Sequence, residues 1–213
     1  GIKLYKSGSA FLEIEPLSEF LASQLAEGIC RQAGLYDLDY YHGKLISKCP
    51  LFTSEPVGLA KASAVFHGAE HTIPDLLQYF RGIGSEDAFR RMCILDAIIL
   101  NPDRHYGNFG VLFDTATMEV LQMAPVFDNN KSLLPELDND QLAAPDWYIA
   151  RCRPRIGRDF ILTARGLLTD EIRADLERMR DFTFRQHPKI QAEQMRLDAL
   201  SGIVRERIRQ ILT

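Results

Sequence analysis

The stretch from Cys93 to Asp128 constrains this chain most, because a helical run, a polar loop and two short extended runs follow one another there. Cys93, Ile94, Ala97, Ile98 and Leu100 recur at helical spacing. The run ends at Asn101-Pro102, since a proline disfavours helical geometry in the residue before it. The loop Asp103-Arg104-His105-Tyr106-Gly107-Asn108 follows. Phe109 to Phe113 and Val120 to Met123 read as strands around Asp114-Thr115-Ala116-Thr117, a polar linker of hairpin size. The second strand delivers Pro125-Val126-Phe127-Asp128. Asp103, Asn108 and Asp128 can thus converge at the strand ends, one carboxylate for proton handling beside an amide and a second carboxylate able to hold a metal ion.

Phosphoryl transfer needs such a set: a carboxylate to accept the hydroxyl proton, and an amide and a carboxylate to hold Mg²⁺ against the phosphates, arranged as D-x-x-x-x-N with a later Asp. Asp103 is the candidate base. Asn108 and Asp128 are the candidate metal and cofactor ligands. With Asp96-Ala97-Ile98-Ile99-Leu100-Asn101 before the loop and Pro125-Val126-Phe127-Asp128 after it, the segment resembles the HipA-like kinases, the toxin half of bacterial toxin–antitoxin pairs and their stand-alone relatives. Its loop is also similar to that of phosphoinositide lipid kinases. The resemblance implies an α+β, atypical protein-kinase-like fold. A small β-rich N-lobe would span residues 1–48 and a mostly helical C-lobe, with the catalytic loop and metal hairpin, residues 49–213. It implies ATP and Mg²⁺ as cofactors, transfer to a protein Ser/Thr hydroxyl, and an antitoxin or N-lobe-completing protein as partner. Transfer to a lipid or small-molecule hydroxyl, and a nucleotide-binding pseudokinase or interaction module, are the alternatives. Keeping Asp103, Asn108 and Asp128 together favours activity.

Upstream, Gly1 to Lys6 has the character of a strand with Ile2, Leu4 and Lys6 on one face. Pro16 to Gln32 reads as a helix, proline in its first turn and Leu17, Leu21, Ala22 and Leu25 as its apolar stripe. Glu19, also near the start, suits the helix dipole. By composition alone Lys6 is a surface lysine and Glu19 a surface acid. The resemblance makes them the phosphate-binding lysine and its glutamate, with Lys3 as the rival lysine. No Gly-rich loop and strand precede Lys6, so the usual cover over the phosphates falls to another segment or a partner.

Leu35 to Lys48 reads as a hairpin around His42-Gly43. The segment Ser47 to Phe52 would then stand where a kinase hinge offers backbone groups to adenine, with Cys49 and Leu51 simply packing. Glycines and prolines interrupt Thr53 to Gly84, leaving a short helix at Pro74 to Arg81. His67 and His71 have a metal-compatible spacing without a third ligand, and read as surface or capping residues. Ser85-Glu86-Asp87 signals a helix start. Asp96, an acid on an apolar helix, reads either as exposed or, following the resemblance, as bonded internally to the catalytic loop.

After Asp128, residues through Pro145 read as an irregular activation-segment analogue in which Lys131 could reach phosphate and Ser132 could accept it. Helices are expected from Thr169 to Phe184 and from Pro188 to Leu212. Their arginines alternate with acids, the mark of a solvated face. A net charge of −4 and a pI near 5.8 give no global reason to expect nucleic-acid binding. Cys30, Cys49, Cys93 and Cys152 lack zinc or disulfide spacing, which points to a reducing cytoplasm. No apolar run approaches the roughly 20 residues of a membrane helix. The chain begins on Gly, which reads as a trimmed or partial start, with no signal peptide expected.

Overall fold

The computed structural model describes residues 2–9, 14–66 and 71–213. In chain order its elements are β1 (Lys3–Ser7), α1 (Glu15–Ile29), β2 (Asp37–Tyr41), β3 (Lys44–Pro50), β4 (Val57–Lys61), α2 (Ala62–Val65), α3 (Ile73–Gly82), α4 (Glu86–Ile99), β5 (Gly110–Asp114), β6 (Val120–Met123), α5 (Asn139–Ala143), α6 (Asp146–Ile149), α7 (Phe160–Leu167), α8 (Asp170–Arg178) and α9 (Gln194–Leu212). His67 lies outside the described residues. Among them, no helix is long and apolar enough to cross a membrane.

The first sheet is antiparallel in the order β1-β3-β2. His42 and Gly43 have φ of 49° and 75°, so both turn residues are left-handed, the geometry that matches strand twist in a two-residue hairpin. That turn fixes the β2–β3 register, which pairs Tyr41 with Lys44. On β1, Lys6 opposes Ser47. Ile2 and Leu4 share the face of Lys6 but are exposed among the described residues, on a strand at the edge of the sheet. β3 continues to Pro50, so a lobe boundary at Lys48 falls inside it. Ser47 to Cys49 pair with β1 on one side, Ser47 and Lys48 also with β2 on the other, and the Leu51 N–H donates to the Ile2 carbonyl at 3.0 Å. The expected hinge at Ser47–Phe52 is therefore corrected: its first residues spend their backbone groups in the sheet.

The second sheet runs β4-β5-β6. Its hairpin β5–β6 was legible, whereas β4 was not. Val57–Lys61 carries Gly58 in place of an alternating pattern and becomes a strand only through its distant partner β5. Ser85 occupies the position before α4 but does not cap it: its hydroxyl accepts from the Met123 N–H at 2.9 Å, fastening β6 to the helix start.

From Met92 onward α4 is apolar apart from Asp96, and that part lies at the centre of the core. Phe89, Met92, Ile94, Leu95 and Ile98 are fully buried there, against α1, α3, α7 and α9. Three helices differ from expectation at their ends. α1 stops at Ile29, where Cys30 turns extended. α8 stops at Arg178, and Phe182 and Phe184 pack edge to face in the following loop, centroids 5.0 Å apart. α9 starts at Gln194 rather than Pro188. α7 was not anticipated; Asp159 caps it by accepting from the Leu162 N–H at 2.9 Å.

Gly110 is where β4 and β5 approach most closely. A Cβ there would stand 2.1 Å from the Ala60 carbonyl oxygen, a backbone atom that cannot swing away. Overpacking costs about 1–3 kcal/mol, and each kcal/mol is worth roughly 2–4 °C at this length. Gly110→Ala should accordingly lower the thermal midpoint by about 3–10 °C in calorimetry. Gly58→Ala meets only the Phe113 ring, which can rotate, and should lower it less; equal losses would show that the close approach is not limiting.

Candidate active site

Buried side chains bring the first sheet to the residues that follow the β5–β6 hairpin. α1 is held by Leu17, Leu21, Leu25 and Ile29 in the core, and it presents Glu19 inward. Glu19 accepts from Lys6 Nζ at 2.9 Å through one oxygen and from the Ser47 hydroxyl at 2.8 Å through the other. Lys6 Nζ also donates to Asp128 Oδ1 at 2.6 Å. The half-buried ammonium so bridges two carboxylates. Burial works against its charge, but Glu19 and Asp128 outweigh that cost and hold its pKa above the ordinary lysine value. Lys3 is exposed and is in no ion pair among the described residues, so the register selects Lys6.

The catalytic loop is built around Arg104, which is 1% exposed. Its Nε and one terminal nitrogen grip Asp96 at 2.9 Å each. The other terminal nitrogen donates to the carbonyls of Asn108 at 2.7 Å and Phe127 at 2.6 Å, while the nitrogen on Asp96 also donates to Asn129 Oδ1. One guanidinium thus ties the last turn of α4, the end of the loop and the residues flanking Asp128. Burial opposes its charge and the Asp96 carboxylate offsets that, leaving the guanidinium's pKa raised. Asn101 closes the turn, donating to Asp96 at 3.1 Å and accepting from the Asp103 N–H at 3.0 Å. Asp96 is therefore the internal partner of the loop and not an exposed acid.

Asn108 Nδ2 donates to the Asp103 carbonyl at 2.9 Å, which fixes the amide and leaves Oδ1 as its free acceptor. Asp128 sits at φ 60°, in the left-handed region an aspartate tolerates better than most residues. Its N–H donates to the Tyr36 hydroxyl at 3.4 Å. Phe127 stacks obliquely on Phe52, centroids 5.6 Å apart, at the exit from β3. The Asp103 carboxylate is partly exposed, with Arg155 at 3.9 Å and His105 at 4.0 Å. Asn108 Oδ1 and Asp128 Oδ2 accept no hydrogen bond among the described residues.

Two expectations beyond Asp128 are corrected. Ser132 is fully buried and donates to the Asn129 carbonyl at 2.6 Å, so no phosphate donor can reach it. Lys131 is paired with Glu15 at the start of α1, which Ser9 also binds through its N–H at 3.0 Å. The segment is also less irregular than expected, since α5 and α6 lie within it and at its end.

No protein-family model and no curated protein matches the sequence. The structure is similar to the crystal structure of a Helicobacter pylori proinflammatory kinase, CtkA, with a TM-score of 0.69 and 17% identity over 99% of this chain and 87% of that one. The fold is kinase-like. It is α+β, with small antiparallel sheets and a helical remainder.

Sequence reasoning missed the work of Arg104, Tyr36, Ser47 and Arg155. For Arg104 a signal existed, since a buried acid on an apolar helix demands a cation and the loop supplies one. Tyr36 and Arg155 reach the site only through tertiary packing. Removing one partner of a buried ion pair costs about 3–5 kcal/mol, and replacing both by apolar groups costs far less. Arg104→Met should therefore be less stable to urea than Arg104→Met/Asp96→Leu, with the wild type at or above the double variant. A single variant as stable as the double would mean that Asp96 is not left uncompensated.

Proposed function

We propose that this chain is an ATP- and Mg²⁺-dependent kinase that phosphorylates a protein Ser/Thr hydroxyl, in the manner of the HipA-like kinases its loop resembles. The observation that carries this reading is the Lys6 ammonium held between Glu19 and Asp128, with a fixed Asn108 amide and a solvent-facing Asp103 nearby. In this reading the lobes divide near residue 48, and the setting is cytoplasmic.

The free oxygens of Asn108 and Asp128 fit Mg²⁺, a hard cation usually held by one or two protein oxygens plus phosphates. These two residues would hold it. Bound there, it would neutralise charge developing on the phosphates. Lys6, oriented by Glu19, places a fixed positive charge for phosphate oxygens, in a site that needs little reorganisation. Asp103 Oδ accepts the proton of the attacking hydroxyl. Arg104 positions Asn108 through its backbone carbonyl and Asp128 through the flanking Phe127 carbonyl and Asn129 side chain, and touches no substrate. Lys131, committed to Glu15, takes no part. An antitoxin or lobe-completing partner is the corresponding proposal for what covers the phosphates.

A ligand at a hundredfold excess over its dissociation constant stabilises the fold by about 2.7 kcal/mol. ATP with Mg²⁺ should raise the thermal midpoint by about 5–10 °C. That rise should need the metal and shrink in Asp128→Asn and Asn108→Ala. Asp103→Asn should keep the shift but lower transfer about 10²-fold or more. Labelled ATP with cell lysate, protein and lipid fractions counted separately, reads the acceptor. Label only in lipid moves the reaction to a lipid hydroxyl; no shift at millimolar Mg-ATP favours an interaction module.

A further inference from the structure

The acceptor side of this site carries a charge imbalance that nothing above uses. Arg151, Arg153, Arg155 and Arg158 are all exposed, in a chain of net charge −4. Exposed arginines elsewhere are typically paired: Arg31 with Asp87, Arg81 with Glu86, Arg180 with Glu177, Arg209 with Glu206. Among the described residues, Arg151, Arg153 and Arg158 have no carboxylate within ion-pair reach. Arg155 has one, and it is the Asp103 carboxylate at 3.9 Å. Arg151 lies over the Trp147 ring at 3.7 Å, and Arg153 donates only to the neighbouring Cys152 carbonyl at 2.9 Å.

This segment is packed against the catalytic loop. Pro154 and Ile156 line a small cavity with Asp96, Asn101 and Arg104, and the Cys152 thiol donates to the Leu100 carbonyl at 3.7 Å. Arg155 thus reaches the carboxylate that faces the incoming hydroxyl, and the other three arginines of the segment lie exposed within four residues of it. Guanidinium is suited to planar, two-point recognition of carboxylate and phosphate.

We propose that the Arg151–Arg158 surface binds an acidic protein segment, with carboxylate or phosphate groups flanking the acceptor hydroxyl, and so selects acceptors that carry negative charge. The word acceptor rests on the reaction proposed above; the binding surface does not. A peptide fits better than an anionic bilayer. The basic charge comes from four arginines within one eight-residue stretch, and exposed Asp146 adjoins Trp147 while exposed Asp138 and Asp140 lie just upstream in sequence. A broad negative surface would meet those acids, whereas a single chain can follow the arginines.

Trp147 is the only tryptophan in the sequence and is exposed, so its fluorescence reports this surface without turnover. The probes are a serine peptide flanked by glutamates, the same peptide with flanking phosphoserines, glutamine and lysine versions, and phosphatidylserine vesicles. The glutamate or phosphoserine peptide should change the fluorescence saturably and weaken with salt; comparing them tells which anion is preferred. The glutamine peptide should not. Arg153→Gln/Arg158→Gln should weaken binding about threefold or more, on the scale of two exposed ion pairs, with the Mg-ATP thermal shift unchanged. Arg153→Glu/Arg158→Glu should turn the preference toward the lysine peptide. Equal responses to glutamate and glutamine peptides, variants that bind like wild type, or binding to vesicles alone would overturn the proposal. Acidic peptide bound yet never phosphorylated with Mg-ATP would support the surface and overturn the transfer reading instead.

Discussion

A buried guanidinium is the constraint on which the rest of this site depends. Arg104 is enclosed, and every group it binds belongs to a segment that must be placed for the others to be useful: Asp96 on α4, Asn108 at the loop's end, Phe127 and Asn129 on either side of Asp128. Burying such a pair is not an economical way to gain stability, because desolvation offsets most of the Coulomb attraction. What it supplies is registration. Three of its contacts are to backbone carbonyls or an amide oxygen, which an apolar side chain could pack against but not hold in one orientation.

The backbone around that guanidinium is held in sparsely populated conformations. Leu100, Asp128, Leu133 and Leu134 have φ of 53°, 60°, 61° and 52°, and for a leucine this costs about 1–3 kcal/mol. Each strained turn has a compensating bond. The Asn101 N–H reaches back to the Asp96 carbonyl at 3.0 Å, and the Leu133 N–H caps the Ile99 carbonyl at 2.7 Å. Helix ends usually place glycine in such a position. With leucine there, the chain keeps an apolar side chain in the core at the cost of strain, and α4 terminates where the loop must begin. Among the described residues Asn129 Nδ2 is buried without a partner, so the same cluster retains an unsatisfied donor on the residue after Asp128.

What was legible in the sequence was what local spacing determines. The proline stop after Leu100, the hairpin around Asp114 to Thr117 and the His42-Gly43 turn each rest on backbone rules acting over a few residues, and each appears as read. Lys6 and Glu19 could be named, but choosing Lys6 over Lys3 required the β1–β3 register, a long-range fact. β4 was missed because Gly58 breaks its pattern and its strand character comes from β5. Ser85 precedes α4 as read but spends its hydroxyl on distant Met123, Lys131 was misread because distant Glu15 takes its ammonium, and Ser132 because the fold buries the tight turn it closes on Asn129. The arginines from Arg151 to Arg158 gave no signal in the sequence, since only the fold shows that Arg155 stands at the Asp103 carboxylate and that its neighbours have no acid partner among the described residues.

Glu15 and Glu19 are four residues apart on α1 and so lie on one face of it. The first holds Lys131 and Ser9, the second Lys6 and Ser47. A single helix face therefore senses the strand that carries the lysine, the segment that follows that strand, and the segment that follows Asp128. Both glutamates are buried while their lysines reach solvent, and because desolvation offsets most of the attraction in such pairs, they are not what holds α1 in place. Its buried Leu17, Leu21, Leu25 and Ile29 do that. The consequence is a division of labour along one helix: the apolar side fixes where α1 sits in the core, and the acidic side converts that position into the placement of Lys6 against Asp128. Any displacement of α1 would act on both ends of the site together, because the two glutamates cannot move independently.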